Sequence, residues 1–168
     1  MNTPKAIELA FTLMLRQYAE LGADTLVRPW QSLSTEGSFR PGDDRTFPCI
    51  DVRFSPDQYN DDQATLVCIG SIDARSHSDD DPDHQQASAM YEAIHAVALL
   101  IFADSQGRVT GAKAGLYAEF VTLVLELSEN QCRVGGITLE SGTPPMLDEQ
   151  NINTIGIGFG VHFSYAHT

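Results

Sequence analysis

Residues 152–165 alternate without a break, with Ile155, Ile157, Phe159, Val161, Phe163 and Tyr165 on one side of an extended chain and Gly156, Gly158, Gly160, His162 and Ser164 on the other. Only a β-strand, with its two-residue side-chain period, puts such a series on one face. Large apolar side chains all on one side need a cover, so the strand must belong to a sheet with one buried face. The glycine side lets another backbone approach closely.

Two segments can supply the cover. Residues 3–22 read as a helix, with Thr3 as N-cap, Pro4 at the first position and Gly22 as the stop. Ile7, Ala10, Phe11, Met14, Leu15 and Tyr18 recur every three or four residues and make one broad apolar face. A second helix is expected over about residues 82–102, where Ala87, Met90, Tyr91, Ile94, Val97, Ala98 and Ile101 keep the same spacing. Asp81 as cap, Pro82 as first residue and Asp83 in the first turn suit the positive end of its dipole.

Residues 49–54 and 64–75 alternate in the strand period, and the connection carries Pro56, Asn60, Asp61 and Asp62, which predicts an antiparallel hairpin. Residues 105–115 form a glycine-rich connector. Residues 116–128 fit a helix through Leu116, Phe120, Leu123, Val124 and Leu127, although residues 121–124 are also strand-like; helix is the preferred reading. Residues 134–139 read as a further strand. Between the first helix and the hairpin, residues 27–48 carry Pro29, Gly37, Pro41, Gly42 and Pro48, the composition of a long mobile loop with room for one short strand. A loop of that length is a candidate contact arm. The expectation is a single α+β domain over residues 1–168, a mainly antiparallel sheet packed against two or three helices.

Ten basic residues stand against 23 acidic ones, a formal charge of -13. Phosphate backbones are gripped by Lys and Arg, so tight nucleic-acid binding is not expected, and only transient, non-specific contact with passing DNA suits this surface. No run of about 18 uninterrupted apolar residues is present to span a bilayer. The first residues, with Glu8, Arg16 and Gln17 interrupting the apolar positions, do not read as a signal peptide or anchor, and no membrane partner is expected. Cys49, Cys68 and Cys132 are odd in number, widely spaced and set among apolar or β-branched neighbours, which suits small buried thiols.

No motif completes a catalytic, cofactor or metal site. Gly156, Gly158 and Gly160 lie inside an alternating strand with no following helix to offer amides to a phosphate. Asp79, Asp81 and Asp83 begin like a calcium loop, but its sixth position is His84 and its twelfth Met90. His77, His84, His95 and His162 show no zinc-ligand spacing. The expectation is no enzyme, no cofactor and no bound metal.

The order of helix, long loop, hairpin, Asp79-Asp80-Asp81-Pro82-Asp83 turn, helix with Ala89-Met90-Tyr91-Glu92-Ala93-Ile94, and closing strand with Phe159-Gly160-Val161-His162-Phe163-Ser164-Tyr165 resembles the tail terminator (tail completion, head-tail joining) proteins of tailed bacteriophages. The resemblance implies a tail-terminator-like α+β subunit of a virion, forming a homohexameric ring that caps the tail tube, ends its polymerisation and joins the tail to the head or neck. The implied partners are further copies of itself, the tail tube protein and a neck or head-completion protein. The implied locations are the head-tail junction and, during assembly, the host cytoplasm. On that reading Val161, Phe163 and Tyr165 are candidates for a subunit or tube contact, unless they are simply core. Trp30 and Phe39 are candidates on the loop, because aromatics anchor interfaces. Asp79, Asp80 and Asp81 could line a lumen through which DNA passes, or merely cap a helix. Two other readings stay open: a neck or adaptor protein between portal and tail, and a small-ligand-binding domain or hydrolase with His95 and Glu92 as its titratable pair.

Overall fold

The computed structural model describes residues 3–29, 47–60, 65–147 and 151–165. The elements run α1 (Thr3–Tyr18), β1 (Leu26–Pro29), β2 (Cys49–Asn60), β3 (Thr65–His77), α2 (Gln85–Ser105), a 3-10 turn (Gly111–Lys113), α3 (Leu116–Leu127), β4 (Cys132–Leu147) and β5 (Ile152–Tyr165). The strands form one sheet in the order β1-β2-β3-β5-β4, antiparallel except for the parallel β1–β2 pair. The chain is therefore α+β, with three α-helices among the described residues and a mainly antiparallel sheet.

The β3–β5 pair is the spine, running in unbroken register from Leu66 opposite Phe163 to His77 opposite Ile152. Ile157, Phe159, Val161 and Phe163 of β5, Cys68, Ile72 and Ala74 of β3, and Ile50, Val52 and Phe54 of β2 are buried in one core with the apolar stripes of the helices. Phe11 of α1 stacks on Phe54 (centroids 5.2 Å apart, planes 10° apart) and meets Phe120 of α3 at 4.5 Å and Phe159 at 4.7 Å. Fully burying one such ring contributes roughly 1.5–3 kcal/mol. Gly70 of β3, paired with Phe54, makes the stack possible: a Cβ there would overlap the Phe54 ring at 2.6 Å.

Polar atoms inside this core are tied to specific partners. The described β1–β2 pairing ends with Pro29 opposite Val52. Further along β2 the Phe54 N–H donates to Oε2 of Glu8, a buried carboxylate on α1 (3.0 Å). Arg16 closes the α1–β1 turn by donating from Nε and Nη2 to the Val27 carbonyl at 3.0 and 2.7 Å. Asp104 at the end of α2 accepts the N–H groups of Gly115 (3.1 Å) and Tyr117 (2.8 Å), capping α3 from the preceding helix. Gly115, at φ 103°, occupies backbone space that favours glycine.

The second helix starts three residues later than its sequence suggests. His84 is left-handed (φ 59°), so residues 82–84 form a turn and the helix begins at Gln85. Asp81 still caps it: Oδ1 accepts the Gln86 N–H and Oδ2 the Ala87 N–H, both at 3.0 Å. Ser76 Oγ of β3 donates to the same carboxylate at 2.7 Å, and Asn153 Nδ2 of β5 donates to the Asp81 carbonyl at 2.9 Å. One residue thus joins two strands and a helix.

Other boundaries also move. The first helix ends at Tyr18 instead of Gly22, and β4 extends to sixteen residues by absorbing register shifts at 134/136, 140/143 and 143/146. β2 runs through Pro56 to Asn60 because a bulge between Pro56 and Gln58 takes up the irregular residues. Residues 26–29, expected at the start of a loop, form β1, while 30–46 lie outside the described residues. Segment 116–127 is helical, as preferred.

Burial acts to raise the Asp81 pKa, but the Gln86, Ser76, Ala87 and Gln85 donors outweigh it and hold the carboxylate below its ordinary 3.8. Because the native value is depressed, the stabilisation is present above pH 3.8 and is lost as the pH falls through the lower native value. Asp81→Ala is expected to cost roughly 1–3 kcal/mol in urea unfolding at pH 7. The difference from the parent chain should shrink in melts carried below that window.

Candidate functional site

The closing strand does not present its apolar row to solvent. β5 lies between β3 and β4, and its odd-numbered residues face the helices, so Val161 and Phe163 are core side chains and not contact residues on this subunit's surface. Tyr165 alone emerges, 48% exposed, with its ring edge-on to Phe163 at 5.7 Å. Trp30 and Phe39 lie outside the described residues. Asp79 and Asp80 are exposed in the turn between β3 and α2, whereas Asp81 is 5% exposed and engaged in capping, which removes it from any lumen-facing set.

The His95 and Glu92 pair is not built into a site. Both sit on α2, where Glu92 is exposed and the His95 imidazole stacks on Tyr91 at 5.3 Å and 19°. Among the described residues no group of three or more His, Cys, Asp or Glu could hold a metal ion. The three thiols are free and buried. Burial first, then the Asp51 carboxylate, pushes Cys49 up to about 12 against the opposing Arg28 and Arg75. Burial likewise takes Cys68 to about 12 and Cys132 to about 11. Thiols held there are protonated at neutral pH and are poor nucleophiles.

The sequence reading missed an ion-pair network on the sheet face away from the helices. Cross-strand register sets Arg28 beside Asp51, Asp51 beside Asp73 and Cys49 beside Arg75. Two carboxylates directly opposite would repel. Arg28 Nε meets Asp51 Oδ1 at 2.7 Å, Arg75 reaches Asp51 Oδ2 at 3.4 Å and Asp73 Oδ2 at 3.8 Å, and Ser71 Oγ donates to Asp73 at 2.9 Å. Arg28 and Asp51 are both buried. The alternation of Asp51 and Arg53 in one strand and Asp73 and Arg75 in the next was the available signal; their meeting depended on register. The network clamps β1 and β3 to β2, and burial raises the Asp73 pKa against the Ser71 hydrogen bond and the Arg75 and Arg53 charges.

What remains for function is the pattern of exposed apolar groups. The end strands of the described sheet carry three of them, Leu26 on β1 at 46% exposed and Met146 and Leu147 on β4 at 50% and 54%, while Tyr18, Leu99 and Tyr165 are exposed on α1, α2 and β5. On the helical layer, an open groove of about 800 Å³ runs between the end of α1, α2 and the α2–α3 connection. No protein-family model and no curated protein matches the chain.

Removing Asp51 would take away the buried carboxylate that Arg28 and Arg75 share. Asp51→Ala is therefore expected to lower the urea midpoint by the equivalent of roughly 1–3 kcal/mol, while Asp79→Ala, on an exposed side chain, should stay within about 0.5 kcal/mol. With Ellman's reagent at neutral pH the native chain should show none of its three thiols and the urea-unfolded chain all three. Fast reaction of one thiol in the native state would reveal a nucleophile that this geometry does not provide.

Proposed function

We propose that this chain is a structural virion subunit of the tail-terminator type, copies of which close into a hexameric ring that caps the tail tube, stops its growth and joins the tail to the head or neck. The observation that carries the reading is the placement of exposed apolar side chains on both edge strands, Leu26 at one end of the sheet and Met146 with Leu147 at the other. A closed ring needs two unlike faces on each subunit, and these edges are unlike: a four-residue parallel strand and a sixteen-residue bulged one. The order of elements that resembles the tail terminators supports the same reading. So does the open form of the groove on the helical layer, since a small-ligand site is typically a deep apolar cavity with a few converging polar groups.

In such a ring Asp79 and Asp80 are the acidic turn residues available to face passing DNA, which like charge would keep from sticking. Virion membership and the absence of catalysis belong to the same proposal.

Light scattering of the purified protein across concentration, alone and with tail-tube protein, tests it. A hexamer, free or on tube ends, is expected. Leu26→Asp and Leu147→Asp should each reduce it to smaller species while leaving the unfolding midpoint within the equivalent of about 0.5 kcal/mol. A strict monomer or dimer indifferent to tubes would overturn the proposal.

A further inference from the structure

Helix α2 is more apolar than its burial in this chain requires. Ala87, Met90, Ile94, Val97, Ala98 and Ile101 face the core, yet Glu92 is its only Asp, Glu, Lys or Arg before Asp104. By length and composition the helix would suffice to cross a bilayer. Its buried stripe identifies it as a core helix with a second, largely uncharged side. A helix that is apolar nearly all round is normally covered all round.

That second side forms the long wall of the open groove. Ala89, Ala93 and Ala96 occupy one stripe, Leu100 continues it, and Ala112 and Ala114 of the connection face it. Small side chains on both walls allow another backbone to come close. Among the described residues no strand edge borders the groove: its lining comes from α1, the residues just after it, α2, the segment leading into α3 and the first turns of α3. An extended peptide would therefore find no ladder of backbone groups to pair with, so the occupant must satisfy its own backbone hydrogen bonds, as a helix does.

The rim sets the occupant's charge. Among the described lining residues, Glu20, Glu92 and Glu119 stand against one cation, Lys113. Tyr18 donates its hydroxyl to Glu119 Oε2 at the α1 end, and this hydrogen bond, with burial and the carboxylate charge, raises the tyrosine pKa. The tyrosine stays neutral, so the described rim remains three carboxylates to one ammonium. The described α-helices of a second copy offer little to match it, since they carry two basic residues, Lys5 and Arg16, both on α1.

We infer that the α2 groove is a docking site for a cationic amphipathic helix of a different protein, which seats its apolar stripe over Ala89, Ala93 and Ala96 and sets its basic flank against Glu20, Glu92 and Glu119. The inference stands on the helical layer and does not depend on the sheet edges or on ring formation.

The probe is a synthetic helical peptide of about 15 residues with leucine at i, i+3, i+4 and i+7 and lysine elsewhere, compared by calorimetry with a peptide carrying glutamate in place of lysine. The lysine peptide should bind and the glutamate peptide should not. Ala96→Trp, which fills the groove at an exposed position without changing charge, should weaken binding by about tenfold or more. Glu92→Gln combined with Glu119→Gln should weaken it several-fold, whereas Asp79→Asn with Asp80→Asn, which removes as much charge elsewhere, should leave it unchanged. Unaltered thermal melts would show that the variants are folded. Equal binding of the two peptides, binding indifferent to Ala96→Trp, or no binding of the lysine peptide would overturn the inference. So would loss of self-association on Ala96→Trp, which would give the groove to a second copy. The ring proposal is read out separately, through Leu26→Asp and Leu147→Asp.

Discussion

Phe11 is the point at which the layers of this protein are joined. Its ring touches Phe54 on β2, Phe159 on β5 and Phe120 on α3, so one side chain on α1 contacts two strands and a second helix. The contact needs a companion on the sheet, because the Phe54 ring can lie flat only over Gly70. Truncating a buried phenylalanine typically costs about 3–5 kcal/mol, comparable to the whole stability of a marginal domain. The aromatic cluster fixes where α1 lies, and α1 then delivers Glu8 to the N–H of Phe54 and Arg16 to the Val27 carbonyl. An apolar contact sets the position, and directional hydrogen bonds then fix the orientation.

Asp81 has the corresponding role at the other end of the core. Its carboxylate takes the first free amides of α2 and the Ser76 hydroxyl, while its carbonyl holds Asn153. The acidic turn therefore divides by burial. Asp81 is consumed by the fold, and Asp79 and Asp80 remain in solvent. Residues that look equivalent as a run of aspartates differ because only one of them can reach the helix axis once His84 has turned the chain through a left-handed step.

What could be read from the sequence was what repeats locally. The three- and four-residue spacing of Ile7, Phe11, Met14 and Leu15, and that of Met90, Ile94 and Ile101, is set by helix geometry alone. The alternation from Ile155 to Phe163 is likewise set by the strand. What could not be read depends on partners distant in the chain. Strand β1 is four residues long, ends in proline and pairs in parallel with a strand twenty residues later, so no local period announces it. Val161 and Phe163 could belong to an interface or a core until strand order placed β5 between two neighbours. Arg28, Asp51, Asp73 and Arg75 are unremarkable singly and become a network only through register. The candidate surfaces were the least legible part, because exposure of Leu26, Met146 and Leu147 depends on which strands lie at the edges.

Charge and apolar exposure are distributed so that each supports the other. Arg28, Arg53 and Arg75, three of the ten basic residues, are placed on the outer sheet face, where Asp51 and Asp73 share the network with Arg28 and Arg75. The remaining surface is correspondingly more acidic than the total suggests. Repulsion between copies acts mainly through these outlying carboxylates and is screened over about 8 Å at physiological ionic strength, while the apolar groups at the sheet edges act only at contact. On the ring reading proposed above, approach between copies is opposed at a distance and favoured where Leu26, Met146 and Leu147 can be covered, which would suit a subunit that assembles at a defined place. The acidic rim over α2 follows the same rule with the opposite consequence, for on the docking inference it opens a largely uncharged helix face to a partner that brings positive charge.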